Sequence, residues 1–169
     1  ITITGLPGSG KTSVAKELAK HLHIKHYSMG DLFRKIAKKK KLPLLELTKT
    51  GRRLSDELDE MQKHIAKTNK NAIIDSRLGA YLIKNADARI YVYAPLKTRV
   101  RRIAERDKKT YKSALRETLA REREELKHYK KEYNVDYRNK NLYNIKIETN
   151  GLAVEDTVKK IISMINKLK

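Results

Sequence analysis

Two rhythms of apolar residues alternate along this chain. Short runs rich in β-branched residues stand at Ile1-Thr2-Ile3-Thr4, Lys25-His26-Tyr27-Ser28, Asn71-Ala72-Ile73-Ile74-Asp75, Arg89-Ile90-Tyr91-Val92-Tyr93-Ala94 and 143–148. Each reads as a strand, and Pro95 stops the fourth. Between the runs, apolar residues recur every three or four positions. Val14, Leu18 and Leu22, with Ala15 and Ala19 beside them, predict a helix over Lys11–His21. Gly30 and Asp31 open a second helix through Phe33 and Ile36. From 38 to 61 the pattern is more polar, with a break at Gly51 and helical spacing at Leu54, Leu58 and Met61, which predicts a small helical subdomain. A further helix runs through Val100 and Ile103, breaks near Asp107 to Lys109, and resumes with Leu115, Leu119, Leu126 and Tyr133 on one face. After Asn150-Gly151, Val154, Val158, Ile161 and Ile165 predict a terminal helix. Five strands alternating with about seven helices are the pattern of a parallel sheet with crossover helices, an α/β fold.

A length of 169 residues fits one domain, and 39% hydrophobic residues suffice for a modest core. No stretch approaches the roughly 18 to 20 apolar residues of a membrane span, so a soluble protein is expected. Zero Cys excludes a disulfide framework and thiolate zinc sites and fits a reducing compartment. The strand-like start at Ile1 carries no signal-peptide pattern. Forty Lys plus Arg against 20 Asp plus Glu give a net charge of +20 and favour an anionic partner: nucleic acid, acidic membrane or phosphorylated small molecule. Lysine dominates the excess, an enrichment seen in hyperthermophile proteins, so much of it describes a basic background.

One motif is sharp. Gly5-Leu6-Pro7-Gly8-Ser9-Gly10-Lys11-Thr12 satisfies G-x-x-x-x-G-K-[ST] between the first strand and the first helix, where a phosphate loop must lie. Its glycines let backbone N–H groups and the positive end of the helix dipole converge on phosphate oxygens. Lys11 is positioned for the β and γ phosphates of ATP, and the Thr12 hydroxyl for Mg²⁺. A chance Gly-rich turn with a strand before it and a helix after it is improbable.

Arginines just after strands face the ligand crevice of a parallel sheet, which singles out Arg34 and Arg77 as forks for a second phosphate. A lone arginine there is more often a surface ion pair, but beside a phosphate loop the balance reverses. Arg99, Arg102 and Arg106 share one helix face, with Arg116, Arg121 and Arg123 beyond the next break. They read either as a solvated face with ion pairs such as Glu117 to Arg121, or as a lid that closes over the triphosphate and excludes water. No obvious catalytic base stands out. A phosphate oxygen is already ionised and needs none, while a hydroxyl acceptor would call on Asp75 or Asp31. His21, His23, His26, His64 and His128 show no metal-ligand spacing and read as surface or structural.

The loop, Ser28-Met29-Gly30-Asp31-Leu32-Phe33-Arg34, Leu58-Asp59-Glu60-Met61-Gln62, Asp75-Ser76-Arg77-Leu78, Ala94-Pro95-Leu96, Arg102-Ile103-Ala104-Glu105-Arg106 and the Tyr129-Lys130 helix together resemble archaeal-type cytidylate kinases over nearly the whole chain. The resemblance implies a P-loop nucleoside monophosphate kinase fold: a five-stranded parallel sheet in order 2-3-1-4-5, an acceptor-binding subdomain at about 30–69 and a lid at about 107–138. It implies Mg²⁺-dependent transfer from ATP to CMP or dCMP by a cytoplasmic, commonly monomeric enzyme. Arg34 and Arg77 are then acceptor-phosphate arginines, Gly30, Asp31, Asp59 and Asp75 belong to the acceptor site, and Arg106 and Arg121 are lid arginines. His128 stands where relatives tend to have Arg, Ser76 replaces a Gly, and Ser55 falls where an acidic residue is frequent. Other acceptors, AMP, UMP or a shikimate-type hydroxyl, share the loop. A rival reading is a basic nucleic-acid-binding ATPase whose tyrosines at 111, 129, 133, 137 and 143 stack on bases.

Overall fold

Every strand runs parallel to its neighbour, in the order β2-β3-β1-β4-β5. The computed structural model describes the backbone of residues 1–41 and 52–168, with side chains throughout these except at 40 and 52–55. The expected break at Gly51 and the side chains of Leu54 and Ser55 lie outside the described residues. The strands are β1 (Thr2–Thr4), β2 (Lys25–Ser28), β3 (Ala72–Asp75), β4 (Arg89–Tyr93) and β5 (Ile145–Glu148). The described helices are α1 (Lys11–His21), α2 (Met29–Lys40), α3 (Arg52–Thr68), α4 (Gly79–Leu82), α5 (Leu96–Asp107), α6 (Tyr111–Tyr133) and α7 (Val154–Asn166). Fold class and strand order are those expected from the sequence. The four-residue α4 is too short to show a helical period, and Tyr143 precedes β5, buried after a 3-10 turn at Lys140–Leu142.

The sheet is apolar on both faces because helices cover both. On one side Ile3, Ile73, Ile90, Val92 and Ile145 meet Val14 and Leu18 of α1 and Val158 and Ile161 of α7. Each such side chain contributes about 1.5–3 kcal/mol on burial. On the other side Met29, Ile74 and Ile83 form one cluster and Ala80, Tyr91 and Tyr143 another. The hairpin of α5 and α6 closes on Val100, Ile103 and Ala114, with Lys108 in the left-handed region at φ 51° ending α5 and Thr110 capping α6. The expected break is therefore where the sequence put it. Leu119, expected on the apolar face of α6, is instead 42% exposed, because the inward face further along α6 is taken by charged groups.

Register fixes the site. Ile3 pairs with Asp75 and with Ile90, and Ser28 pairs with Asp75, so β1, β2 and β3 end together. At β1 the chain order diverges, with β3 on one side and β4 on the other, which opens a crevice beyond the carboxyl ends of the strands.

Candidate active site

The loop from Gly5 to Thr12 wraps into that crevice. A Cβ at Gly5 would lie 2.3 Å from Val92 O and 2.6 Å from Ser9 Oγ, so nothing larger fits. Gly8 has φ +77°, and a Cβ there would stand 2.4 Å from Arg99 O. Helix α1 begins at Gly10 with no side-chain cap and no acidic residue in its first turn, leaving its positive end to an anion.

Side chains from distant segments tie down the loop carbonyls. Arg77 Nη1 donates to Gly5 O at 2.6 Å, Arg99 Nη1 to Pro7 O at 3.1 Å, and Thr149 Oγ1 to Ser9 O at 2.8 Å. Arg99 is 5% exposed; it also donates to Ala94 O and pairs with Glu122. Arg102 donates to both Thr149 oxygens at 2.9 Å. Arg99 and Arg102 are thus neither a solvated face nor lid groups but braces of the loop. The expected pair of Glu117 with Arg121 is also replaced: Lys109 Nζ takes Glu117 at 2.6 Å, and Arg121 Nε takes Glu125 at 2.7 Å.

At the loop's end Lys11 Nζ lies 2.7 Å from Asp75 Oδ1, and Thr12 Oγ1 donates to Asp75 Oδ2 at 2.6 Å. His26 Nε2 stands 3.9 Å from the same oxygen, which makes His26 a half-buried neighbour of the site. Burial alone would raise the Asp75 carboxyl, but His26, Lys11 and Thr12 outweigh it and hold the group well below the usual carboxylate range. Burial pushes the Lys11 ammonium down against the pull of Asp75, and the charges of Arg77 and Arg34 push the same way, so these four groups share one field. The resemblance put Asp75 near the acceptor nucleoside; the structure seats it against Lys11 and Thr12. A hydroxyl and an ionised carboxylate 2.6 Å apart beside a phosphate loop are the hard oxygen donors that suit Mg²⁺ carried in on a nucleotide.

Across the crevice Arg77 Nε lies 2.9 Å from Glu125 Oε2, and its guanidinium sits 5.8 Å from the Tyr137 ring centroid. Arg34 pairs with Asp31 at the rim, both about half exposed. Burial raises the Asp31 carboxyl and Arg34 more than offsets it, so the group is ionised at lower pH than usual. Arg106 holds Asp107 through two bonds of 2.7 and 2.9 Å. A single cleft of about 1380 Å³ is lined by residues 6–12, by Gly30, Asp31, Arg34, Asp59, Asp75 and Arg77, and by Arg106 and Arg121. Gly5 lies behind that wall. Glu125, Gln62 and Thr149 were not singled out by the sequence; only the i, i+4 spacing of Arg121 and Glu125 hinted at one of them. Tyr137 and Tyr143 are buried, and Tyr129 and Tyr133 pack with His128 and Tyr137, so packing accounts for four of the five tyrosines proposed to stack on bases, while Tyr111 is 42% exposed.

A phosphate loop at the switch point of a 2-3-1-4-5 sheet, facing a second arginine-lined site, defines a P-loop kinase. Solved structures of that fold agree: a shikimate kinase from Acinetobacter baumannii superposes with a TM-score of 0.62 at 21% identity, covering 99% of this chain and 94% of that one. The pattern of the cytidylate kinase-like family matches residues 1–151, and the chain belongs to that family. Similar curated proteins include the cytidylate kinases of Archaeoglobus fulgidus, 34% identical over 100% of this chain and 96% of that protein, and of Methanocaldococcus jannaschii, 36% identical over 100% and 98%.

Proposed function

We propose that the protein transfers the γ-phosphoryl group of MgATP to CMP or dCMP, giving ADP and CDP or dCDP. The observation that carries this reading is one cleft lined both by Lys11, Thr12 and the loop and by Arg34, Arg77 and Asp59. Its volume of about 1380 Å³ exceeds the roughly 300–1,000 Å³ of a site for one small ligand and suits two nucleotides meeting end to end. The segment at about 30–69, of which 42–51 lie outside the described residues, then serves as the acceptor-binding arm and that at about 107–138 as the lid.

In this reading the loop amides and Lys11 hold the donor phosphates, and Lys11 exchanges its Asp75 partner for the β and γ oxygens when ATP enters. Thr12 and Asp75 would hold Mg²⁺, which would supply positive charge to offset that of the donor phosphates. Arg34 and Arg77 orient the acceptor phosphate in line. Arg106 and Arg121 stabilise the charge on the transferring group and exclude water. Asp75 and Asp31 are both held ionised by their cationic partners, which makes them poor proton acceptors. A phosphate acceptor needs no base, whereas a shikimate-type hydroxyl would. As the family resemblance implies, the enzyme in this reading is a cytoplasmic monomer. Among the described residues no helix is long and apolar enough to cross a membrane.

The test is coupled ADP release with CMP, dCMP, UMP, AMP and shikimate as acceptors. Turnover that depends on CMP and dCMP supports the reading; ATPase stimulated by long nucleic acid and indifferent to CMP overturns it.

A further inference from the structure

The inward face of helix α3 is mixed: Ile65 and Ala66 pack against the cluster of Met29, Ile74 and Ile83, while one turn earlier the helix buries polar groups. Met61, at helical spacing from Leu58, is 43% exposed, while Asp59 is 8% and Gln62 3% exposed. Burying a carboxylate and an amide while a thioether meets water is unfavourable unless the polar pair has a partner to meet. Part of that partnership is internal. Gln62 Nε2 donates to Asp59 Oδ1 at 3.3 Å, and the Tyr133 hydroxyl bonds to the same carboxyl group.

An ionised carboxylate only accepts, so Asp59 decides which end of the Gln62 amide turns toward it. The NH₂ end faces Asp59 and the carbonyl end is presented elsewhere. Gln62 Oε1 is buried and has no hydrogen-bond partner among the described residues. The side chain lines the cleft on the acceptor side, with Leu58, Phe33 and Tyr133. An oriented, unsatisfied acceptor in an otherwise largely apolar wall is a recognition group awaiting a donor.

We propose that Gln62 determines base specificity: its Oε1 accepts a hydrogen bond from the exocyclic amino group of the acceptor base. This rests on the kinase reading above and deepens it. The 4-amino group of cytosine donates, whereas the 4-oxygen of uracil would set lone pair against lone pair in a buried site. Asp59 acts as a positioning residue, because an amide turned the other way would present NH₂ and favour the 4-oxo base. The arrangement selects amino over oxo at that ring position.

The experiment measures kcat/KM at saturating MgATP for CMP, UMP and the 5′-monophosphate of the pyrimidin-2-one riboside, which lacks any 4-substituent. Three proteins are compared: the unaltered chain, Gln62→Met and Gln62→Glu. The unaltered chain is expected to prefer CMP over the unsubstituted analogue by about 10- to 100-fold, the range for a buried acceptor left unpaired. In Gln62→Met that preference falls to within about 3-fold while KM for ATP stays unchanged. Gln62→Glu sets a second carboxyl against buried Asp59, so one of the two takes up a proton and can donate to a 4-oxo group. Its preference for CMP over UMP is expected to narrow by about 10-fold or more, and an unchanged preference overturns the proposal, so this variant decides the matter if the Met variant does not fold. Equal use of CMP and the analogue by the unaltered chain overturns the proposal, as does an equal loss for both substrates in Gln62→Met. If the unaltered chain phosphorylates no nucleoside monophosphate, the kinase reading falls and takes this one with it; turnover without the amino preference overturns this one alone.

Discussion

Glu125 holds Arg77 at 2.9 Å through Oε2 and Arg121 at 2.7 Å through Oε1, so one buried carboxylate joins the arginine proposed for the acceptor phosphate to one proposed for the lid. Burial alone would raise the Glu125 carboxyl; Arg77 and Arg121 reverse this and pull it from an ordinary 4.5 to about 2. A depressed value in the folded state means stability that is present above about pH 4.5 and lost as pH falls toward about 2. The contribution is on the order of 3 kcal/mol. Glu125→Gln is therefore expected to lower the melting temperature at pH 7 and to flatten the acid limb of melting against pH relative to the parent. An acid limb identical to the parent's would refute the coupling. The same variant should raise KM for CMP, since Arg77 loses the partner that aims it.

A second prediction concerns Lys11 and Asp75. Lys11→Ala should lower kcat by at least about 10²- to 10³-fold, the scale for one donor at the transferring phosphate. It also leaves Asp75 a buried charge without its ammonium, which costs stability. Lys11→Ala combined with Asp75→Asn should recover much of that stability while remaining inactive. Thermal melts of the two single variants and the pair check this, and strict additivity would argue against the ion pair.

How much of this was legible beforehand differs from residue to residue. Gly5 to Thr12 could be read because backbone geometry imposes residue types at fixed spacing, and the structure shows why at Gly5 and Gly8. The strands were legible from their local β-branched runs, but their order came only through the family resemblance, because pairing joins segments distant in sequence. Arg99 and Arg102 could not be read as loop braces. Sequence shows a helix face, not the carbonyls of Pro7 and Gly8 more than ninety positions away that they meet. Asp59 and Gln62 break the amphipathic rule because the cleft lies beside their turn of α3, whereas Ile65 and Ala66 one turn on meet the core. Glu125 was half visible, through Arg121 one turn away; its other partner, Arg77, is 48 positions distant.

The brace role of Arg99 separates it from the lid. Arg99 donates to Pro7 O and Ala94 O and pairs with half-buried Glu122. Arg99→Lys keeps the charge but loses the fork that spans these partners. It should lower the melting temperature and raise KM for ATP several-fold, with KM for CMP changed less. Unaltered stability and ATP affinity would remove the brace from the account.

Arg106 is the converse case. Its side chain is 62% exposed and, among the described residues, bonded only to its neighbour Asp107, so its removal should leave stability within about 0.5 kcal/mol of the parent. Facing the cleft, it is expected to act when the lid meets the transferring phosphoryl group, where a positioned arginine contributes on the order of 10³-fold or more. Arg106→Ala should therefore cut CDP formation by about 10²- to 10³-fold at unchanged melting temperature. It should also admit water to the phosphoryl group, so the share of ADP released without matching CDP rises. Coupled ADP release set against chromatographic CDP measures both quantities in one reaction. A CDP rate within about 3-fold of the parent, with ADP and CDP still one to one, would take Arg106 out of the transferring step and leave that role to Arg121.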